Sequence, residues 1–238
     1  MKRIVIYVLN IVPLIEDAVF EAHFAQMHRD RQKKILRLSH RMDQNRSLGA
    51  GILLAQGLLS YGIAYRAAEI TMDQNGKPYL AGIAGVSGSF ETSQERPYQN
   101  IHFCLTHSGN YAAAAFAPVP VGVDLEHLRA CNEALIRRCF TEEEQKELTL
   151  CSGRNREELF LRYWTVKESA AKWNGRGMRL PFRQIRLRED RMVEIMDQQK
   201  RTACYLREYE IRDGDELYRI AVCAGTEDFA ERPLWIKV

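Results

Sequence analysis

An α+β fold in two comparable halves is predicted by three observations. Strand-like apolar runs and helical apolar periods are interspersed along the whole chain. The segment Pro118-Val119-Pro120 makes a natural break near the midpoint. The length of 238 residues suits one large domain or two small ones, and is enough for a sizeable core without covalent staples. We therefore expect a first lobe over residues 1–117 and a second over residues 118–238.

The chain opens with Lys2-Arg3 and the apolar run Ile4 to Leu9, which superficially resembles a secretory signal. Asn10, Pro13 and the acidic Glu16-Asp17 interrupt it, and its β-branched content suits a buried first strand, so a cytoplasmic protein is expected. Residues from about 30 to 60 read as helix, with Ile35, Leu38, Met42, Ile52 and Leu59 at three- and four-residue steps and a break or kink expected at Ser47-Leu48-Gly49. Asn75-Gly76-Lys77-Pro78 is a turn signal, and Ile101–Leu105 and Tyr111–Ala117 read as strands on either side of His107-Ser108-Gly109-Asn110.

The second half begins with Val121 to Glu126, where alternation sends Val121, Val123 and Leu125 to one face and Asp124 and Glu126 to the other. Thr141 with Glu144 forms a capping box, and Ser152-Gly153 stops that helix. A second helix starts around Asn155 and Glu158 and runs to Asn174-Gly175, with Leu159, Tyr163, Val166, Ala170 and Trp173 as its apolar stripe. Ile185–Leu187, Ala203–Ile211 and Leu217–Ala224 complete the chain as strands.

Composition narrows the function. Charged residues make up 27% of the chain, yet 34 Lys+Arg against 31 Asp+Glu leave only +3, too weak a surplus for a whole-molecule polyanion binder. The basic segment His28 to Arg46 could still touch phosphates locally, but no recognition-helix or stacking motif accompanies it, so no nucleic-acid partner is expected. No run approaches 18 apolar residues, and no membrane partner is expected. The six cysteines form no C-x-x-C pair and read as reduced, mostly core residues.

The chemistry concentrates in the second half. Asp124 and Glu126 project the same way about 6.6 Å apart along their strand, within reach of one cation. Trp164, Glu168 and Lys172 stack on the helix side opposite the apolar stripe, where a solvated back would be uniformly polar, so that face is expected to border a cleft. Oxygens from Asp124, Glu126 and Glu168 suit a hard ion such as magnesium, which leaves its other positions to water and phosphate oxygens and so implies a phosphorylated substrate. A metal-dependent hydrolase of nucleotide pyrophosphates would use the same residues with water as nucleophile.

These strings together are more specific than any one alone. Gly122-Val123-Asp124-Leu125-Glu126, Phe140-Thr141-x-x-Glu144, and Trp164-Thr165-Val166-Lys167-Glu168-Ser169-Ala170-Ala171-Lys172 with Gly175 and Gly177 resemble the signatures of the 4′-phosphopantetheinyl transferase superfamily, in order and spacing. Gly76-Lys77-Pro78 and Phe103-Cys104-Leu105-Thr106-His107-Ser108-Gly109 resemble additional motifs of its larger, surfactin-synthetase-activating (Sfp-type) branch.

The resemblance implies two similar, pseudo-symmetric lobes in a monomer, with the active site in the cleft between them. It implies transfer of the 4′-phosphopantetheine arm from coenzyme A to a serine of an apo carrier protein, acyl or peptidyl, releasing adenosine 3′,5′-bisphosphate. By matching position, Asp124, Glu126 and Glu168 resemble the Mg2+ ligands, Glu168 also resembles the base for the serine, and Lys172 is suited to stabilising the transferring phosphate. Lys77 and His107, with Thr106 in place of the more frequent serine, resemble the grip on coenzyme A phosphates. Arg31, Lys34 and Ser47 fall where the family contacts the 3′-phosphate.

Overall fold

The computed structural model describes residues 3–84, 100–197 and 199–238. The chain forms two compact units, Met1–Val119 with Ala230–Val238, and Pro120–Phe229. Within the first lie β1 (Val5–Asn10), α1 (Asp17–Phe24), α2 (Arg29–Leu36), α3 (Arg41–Leu59), β2 (Ala68–Met72), β3 (Pro78–Ile83), β4 (His102–Ser108) and β5 (Tyr111–Ala117). The second carries β6 (Val121–His127), α4 (Glu133–Cys139), α5 (Glu142–Leu150), α6 (Gly153–Asn174), β7 (Ile185–Leu187), β8 (Met192–Asp197), β9 (Lys200–Asp213) and β10 (Glu216–Ala224). β11 (Leu234–Ile236) then pairs parallel to β1, so the chain's last residues join the first unit's sheet rather than the second's.

In the first unit the sheet order is β11-β1-β5-β4, with α3 packed on it. Six residues in succession along β5, Ala112 to Ala117, are completely buried, and the small alanines leave room for the helix. The expected kink at Ser47-Leu48-Gly49 is absent: α3 runs straight through it, and the helix break falls at residues 37–40 instead. Gly49 serves packing, because a Cβ there would stand 2.6 Å from Ile11 Cγ2. The Asn75-Gly76 turn closes β2 on β3 as the sequence predicts, with Asp73 Oδ1 accepting from the amides of Asn75 and Lys77 and Gly76 at φ +83°.

In the second unit the sheet order is β6-β10-β9-β8-β7, and α6 lies across it, touching β6, β10 and β7. Tyr163, Val166 and Ala170 of the predicted stripe are buried with Leu206, Ala221 and Cys223 of the sheet, each large apolar side chain contributing about 1.5–3 kcal/mol. The capping box of α5 forms in both directions between Thr141 and Glu144. Ser152 does not end α5 but sits at the N-cap of α6, and Gly175, at φ +85°, ends α6 by donating its amide to Ala171 O at 3.1 Å. α4 and β8 were not expected; α4 is short and is held by packing on the 3-10 turn Phe182–Gln184.

Each unit therefore contains the same succession of strand, long helix and hairpin, paired so that the first strand adjoins the last: β1-β5-β4 in one and β6-β10-β9 in the other. The fold is α+β. Among the described residues no helix is long and apolar enough to cross a membrane. The six cysteines are free, and Cys104, Cys139, Cys204 and Cys223 are buried.

Candidate active site

Gly122 sets the geometry of the second unit's site. A Cβ there would lie 2.1 Å from Ser169 O and 2.4 Å from Trp173 N, so only glycine lets α6 come this close to β6. Ser169 Oγ fixes the contact by donating to Gly122 O at 3.1 Å. Because Gly122 faces the helix, alternation turns Asp124 and Glu126 the same way, while Val121, Val123 and Leu125 are buried on the other side.

The approach brings Lys172 Nζ to 2.6 Å from Asp124 Oδ1, with Asp124 only 3% exposed. Sequence spacing suggested Lys172 beside Glu168; the structure gives its ammonium to Asp124. Glu126 meets the Arg129 guanidinium at 3.2 Å. Burial raises the Glu168 carboxyl to about 7, helped by the negative charge of Asp124, opposed by Lys172 and raised again by Glu126. Asp124, Glu126 and Glu168 are thus within electrostatic reach of one another. The helix face of Trp164, Glu168 and Lys172 is no solvated back: Trp164 is buried, its ring 5.5 Å from that of Phe182.

Among the described residues, no group of three His, Cys, Asp or Glu side chains is close enough to hold a metal ion. The donor chemistry nevertheless suits a hard cation. Three carboxylates act on one another electrostatically, and the charges of Asp124 and Glu126 add to the burial that raises Glu168, a repulsion that a divalent ion would relieve.

The first unit carries the opposite charge. Arg31 on α2 donates from Nη1 to Ser47 O on α3 at 3.3 Å, and its stem passes Gly51, where a Cβ would be 3.7 Å from Arg31 Cγ and Cδ. Burial, and then the Arg31 charge, holds the Lys34 ammonium below the usual lysine range. Arg31, Lys34 and Ser47 are therefore brought together, and the buried Ser47 Oγ has no hydrogen-bond partner among the described residues. Two adjacent cations and an orphaned hydroxyl make a place for an anion.

The other predicted contacts lie on the β-strand side of this unit. Lys77 follows the β2–β3 turn, and its charge, after burial, depresses His102 at the start of β4. His107 pairs in register with Ala112, whose Cβ faces Gly49, so His107 stands on the α3 side of the sheet. Thr106 pairs with Ala113 and points to the opposite side, where it is buried. The structure thus separates Thr106 from His107. Arg46 was only one of many basic residues in the sequence; in the structure it donates to Gly109 O at 3.0 Å and to Asp43 at 2.7 Å, tying the His107 turn to α3.

Comparisons with known proteins found similar sequences and structures. The family model of the 4′-phosphopantetheinyl transferase superfamily covers residues 120–223, which span the Gly122 contact and all four second-unit site residues. The chain is 29% identical over 206 residues to 4′-phosphopantetheinyl transferase ffp of Bacillus subtilis, covering 85% of this chain and 84% of that protein. To 4′-phosphopantetheinyl transferase Sfp of Bacillus subtilis strain 168 it is 27% identical over 206 residues, with coverage of 85% and 84%. A solved holo-(acyl-carrier-protein) synthase from Bacillus anthracis in complex with CoA aligns at 19% identity and a TM-score of 0.33, over 45% of this chain and 97% of that one. Residues 120–223 thus match the 4′-phosphopantetheinyl transferase superfamily, and over most of its length the chain is similar to enzymes of the larger, Sfp-type branch.

Proposed function

We propose that the protein transfers the 4′-phosphopantetheine group of coenzyme A to a serine hydroxyl of an apo carrier protein. The carrying observation is the α6–β6 contact, which places Asp124, Glu168 and Lys172 on facing surfaces with Glu126 on the same strand face. The serine oxygen forms a new bond to the phosphorus that bears the pantetheine arm, the pyrophosphate P–O bond breaks, and adenosine 3′,5′-bisphosphate leaves. Glu168, partly screened from water, takes the serine proton.

Asp124, Glu126 and Glu168 would hold a magnesium ion, which supplies charge neutralisation at the pyrophosphate oxygens. Lys172, already beside Asp124, adds its positive charge where negative charge develops on the transferred phosphate. In the first unit, Arg31, Lys34 and Ser47 grip the 3′-phosphate, and Lys77, His107 and the β4 segment at Thr106 contribute to holding the rest of coenzyme A. We further propose that the enzyme acts as a monomer in the cytoplasm, where free cysteines are stable. Carrier proteins are commonly acidic, and local basic surface would draw them in despite the modest total charge.

Intact-mass measurement of an apo acyl or peptidyl carrier protein, incubated with this protein, coenzyme A and magnesium, tests the reading. The expected result is a gain of one phosphopantetheine group, lost when EDTA is added. Hydrolysis of coenzyme A without any carrier gain would replace transfer by the pyrophosphate hydrolase reading. Absence of both coenzyme A binding and carrier modification would overturn both.

A further inference from the structure

Lys167 is the buried charge that the transfer reaction leaves unused. It is 2% exposed in the middle of α6, one residue before Glu168. Its ammonium has three protons, and three acceptors take them: Glu144 Oε2 at 2.9 Å, Phe182 O at 3.0 Å and Ile185 O at 2.6 Å. None is left for a substrate phosphate. Burial pushes the lysine below its usual range, and the Glu144 charge opposes that. The same Glu144 oxygen also accepts the Thr141 amide at 2.8 Å, closing the α5 capping box.

An apolar side chain would fill this space at lower electrostatic cost, since buried ion pairs are often replaceable by hydrophobic groups without loss of stability. What an apolar chain cannot do is aim hydrogen bonds at two carbonyls. Those carbonyls lie at the entry to β7, while two residues further along α6 Ser169 Oγ bonds Gly122 O on β6. β7 and β6 are the two edges of the five-stranded sheet. Successive helix residues step by about 100°, so residue 168 lies between the anchors at 167 and 169. Turning α6 about its axis to carry Glu168 away from Asp124 would break one anchor or the other.

We infer that Lys167, with Glu144 as its counter-ion, is a positioning residue that fixes the rotation of α6 and so the placement of Glu168. The inference rests on the transferase reading for its effect on rate. Three variants are compared with the wild type for kcat, KM for coenzyme A and Tm: Lys167→Met, Glu144→Gln, and the two combined. Lys167→Met alone strands the Glu144 charge and is expected to lower Tm by about 10 °C. The combined variant removes that stranded charge and is expected to regain most of the Tm while kcat stays roughly 10- to 100-fold low with KM nearly unchanged. Glu144→Gln, which leaves both carbonyl bonds and the cap possible, is expected to keep kcat within about threefold.

A combined variant with wild-type kcat would reduce Lys167 to a fold-holding residue and overturn the inference, as would a Glu144→Gln variant as slow as Lys167→Met. Amide hydrogen exchange over residues 165–186 reads the anchor without any carrier protein. Exchange faster by about tenfold or more in the combined variant is expected. Unchanged exchange overturns the inference whether or not the wild type transfers phosphopantetheine, whereas a wild type that modifies no carrier overturns only the transferase reading.

Discussion

Both units bring a long helix close to a sheet, but each places the necessary glycine on the opposite partner. In the first unit the glycines are on the helix: a Cβ at Gly57 would be 2.0 Å from the Phe116 ring, and one at Gly49 would be 2.6 Å from Ile11 Cγ2. In the second unit the glycine is on the strand, and a Cβ at Gly122 would meet the backbone of Ser169 and Trp173. Side chains can shift to relieve a clash and a helix backbone cannot do so locally. The second unit is thus the more exactingly packed at its contact, and it is there that the carboxylates sit. On the proposed function, the paired cations of the first unit hold an anion and the carboxylates of the second serve turnover.

Removing a carboxylate from the second unit is the strongest way to break that division. Asp124→Ala deletes a proposed magnesium ligand and the partner of Lys172, and turnover is expected to fall by a factor on the order of 10³ or more. Coenzyme A binding by the first unit's cations should persist, and a circular dichroism melt should remain cooperative. A rate near wild type would remove Asp124 from the metal set.

The glycine contrast gives the next largest effect. Gly122→Ala forces α6 off β6, which displaces Glu168 and Lys172 together, so kcat is expected to drop on the order of 100-fold along with a lowered Tm. Gly57→Ala overpacks against Phe116 and is expected to cost about 1–3 kcal/mol, a fall of roughly 2–12 °C in Tm, with kcat within about threefold. Equal losses of kcat in the two variants would show that the packing contrast has no bearing on the chemistry.

Much of this was legible in the sequence because it depends on local period. The alternation of Val121 to Glu126 placed Asp124 and Glu126 on one face, and the helical step grouped Trp164, Glu168 and Lys172. Residues whose role depends on distant backbone were not legible. Ser47-Leu48-Gly49 looked like a helix breaker because the neighbour that requires Gly49, Ile11, lies far back in the chain. The i–4 step put Lys172 over Glu168, and its charge does act there, but its bond to Asp124 depends on the distant Gly122 contact. Lys167 and Glu144 are 23 positions apart, and Lys167's carbonyl acceptors are 15 and 18 residues further on, so motif reading left the lysine without a task and Glu144 only a cap. The parallel pairing of β11 with β1 joins opposite ends of the chain, a contact that no local pattern encodes.

The smallest expected effect is the most selective, and it tests the first unit alone. Lys34 stands beside Arg31 on α2, with burial and the neighbouring charge holding its ammonium below the usual range. An incoming phosphate relieves that repulsion, so Lys34→Ala should weaken coenzyme A binding through the 3′-phosphate and leave the second unit's chemistry untouched. KM for coenzyme A is expected to rise about tenfold, the loss of one charge-assisted hydrogen bond, with kcat nearly constant. With 3′-dephospho-coenzyme A as substrate, the wild type and the variant should differ little, because the group that Lys34 answers is missing. An equal penalty on both substrates would move Lys34 to another part of coenzyme A, and a fall in kcat with KM unchanged would break the division of labour between the two units.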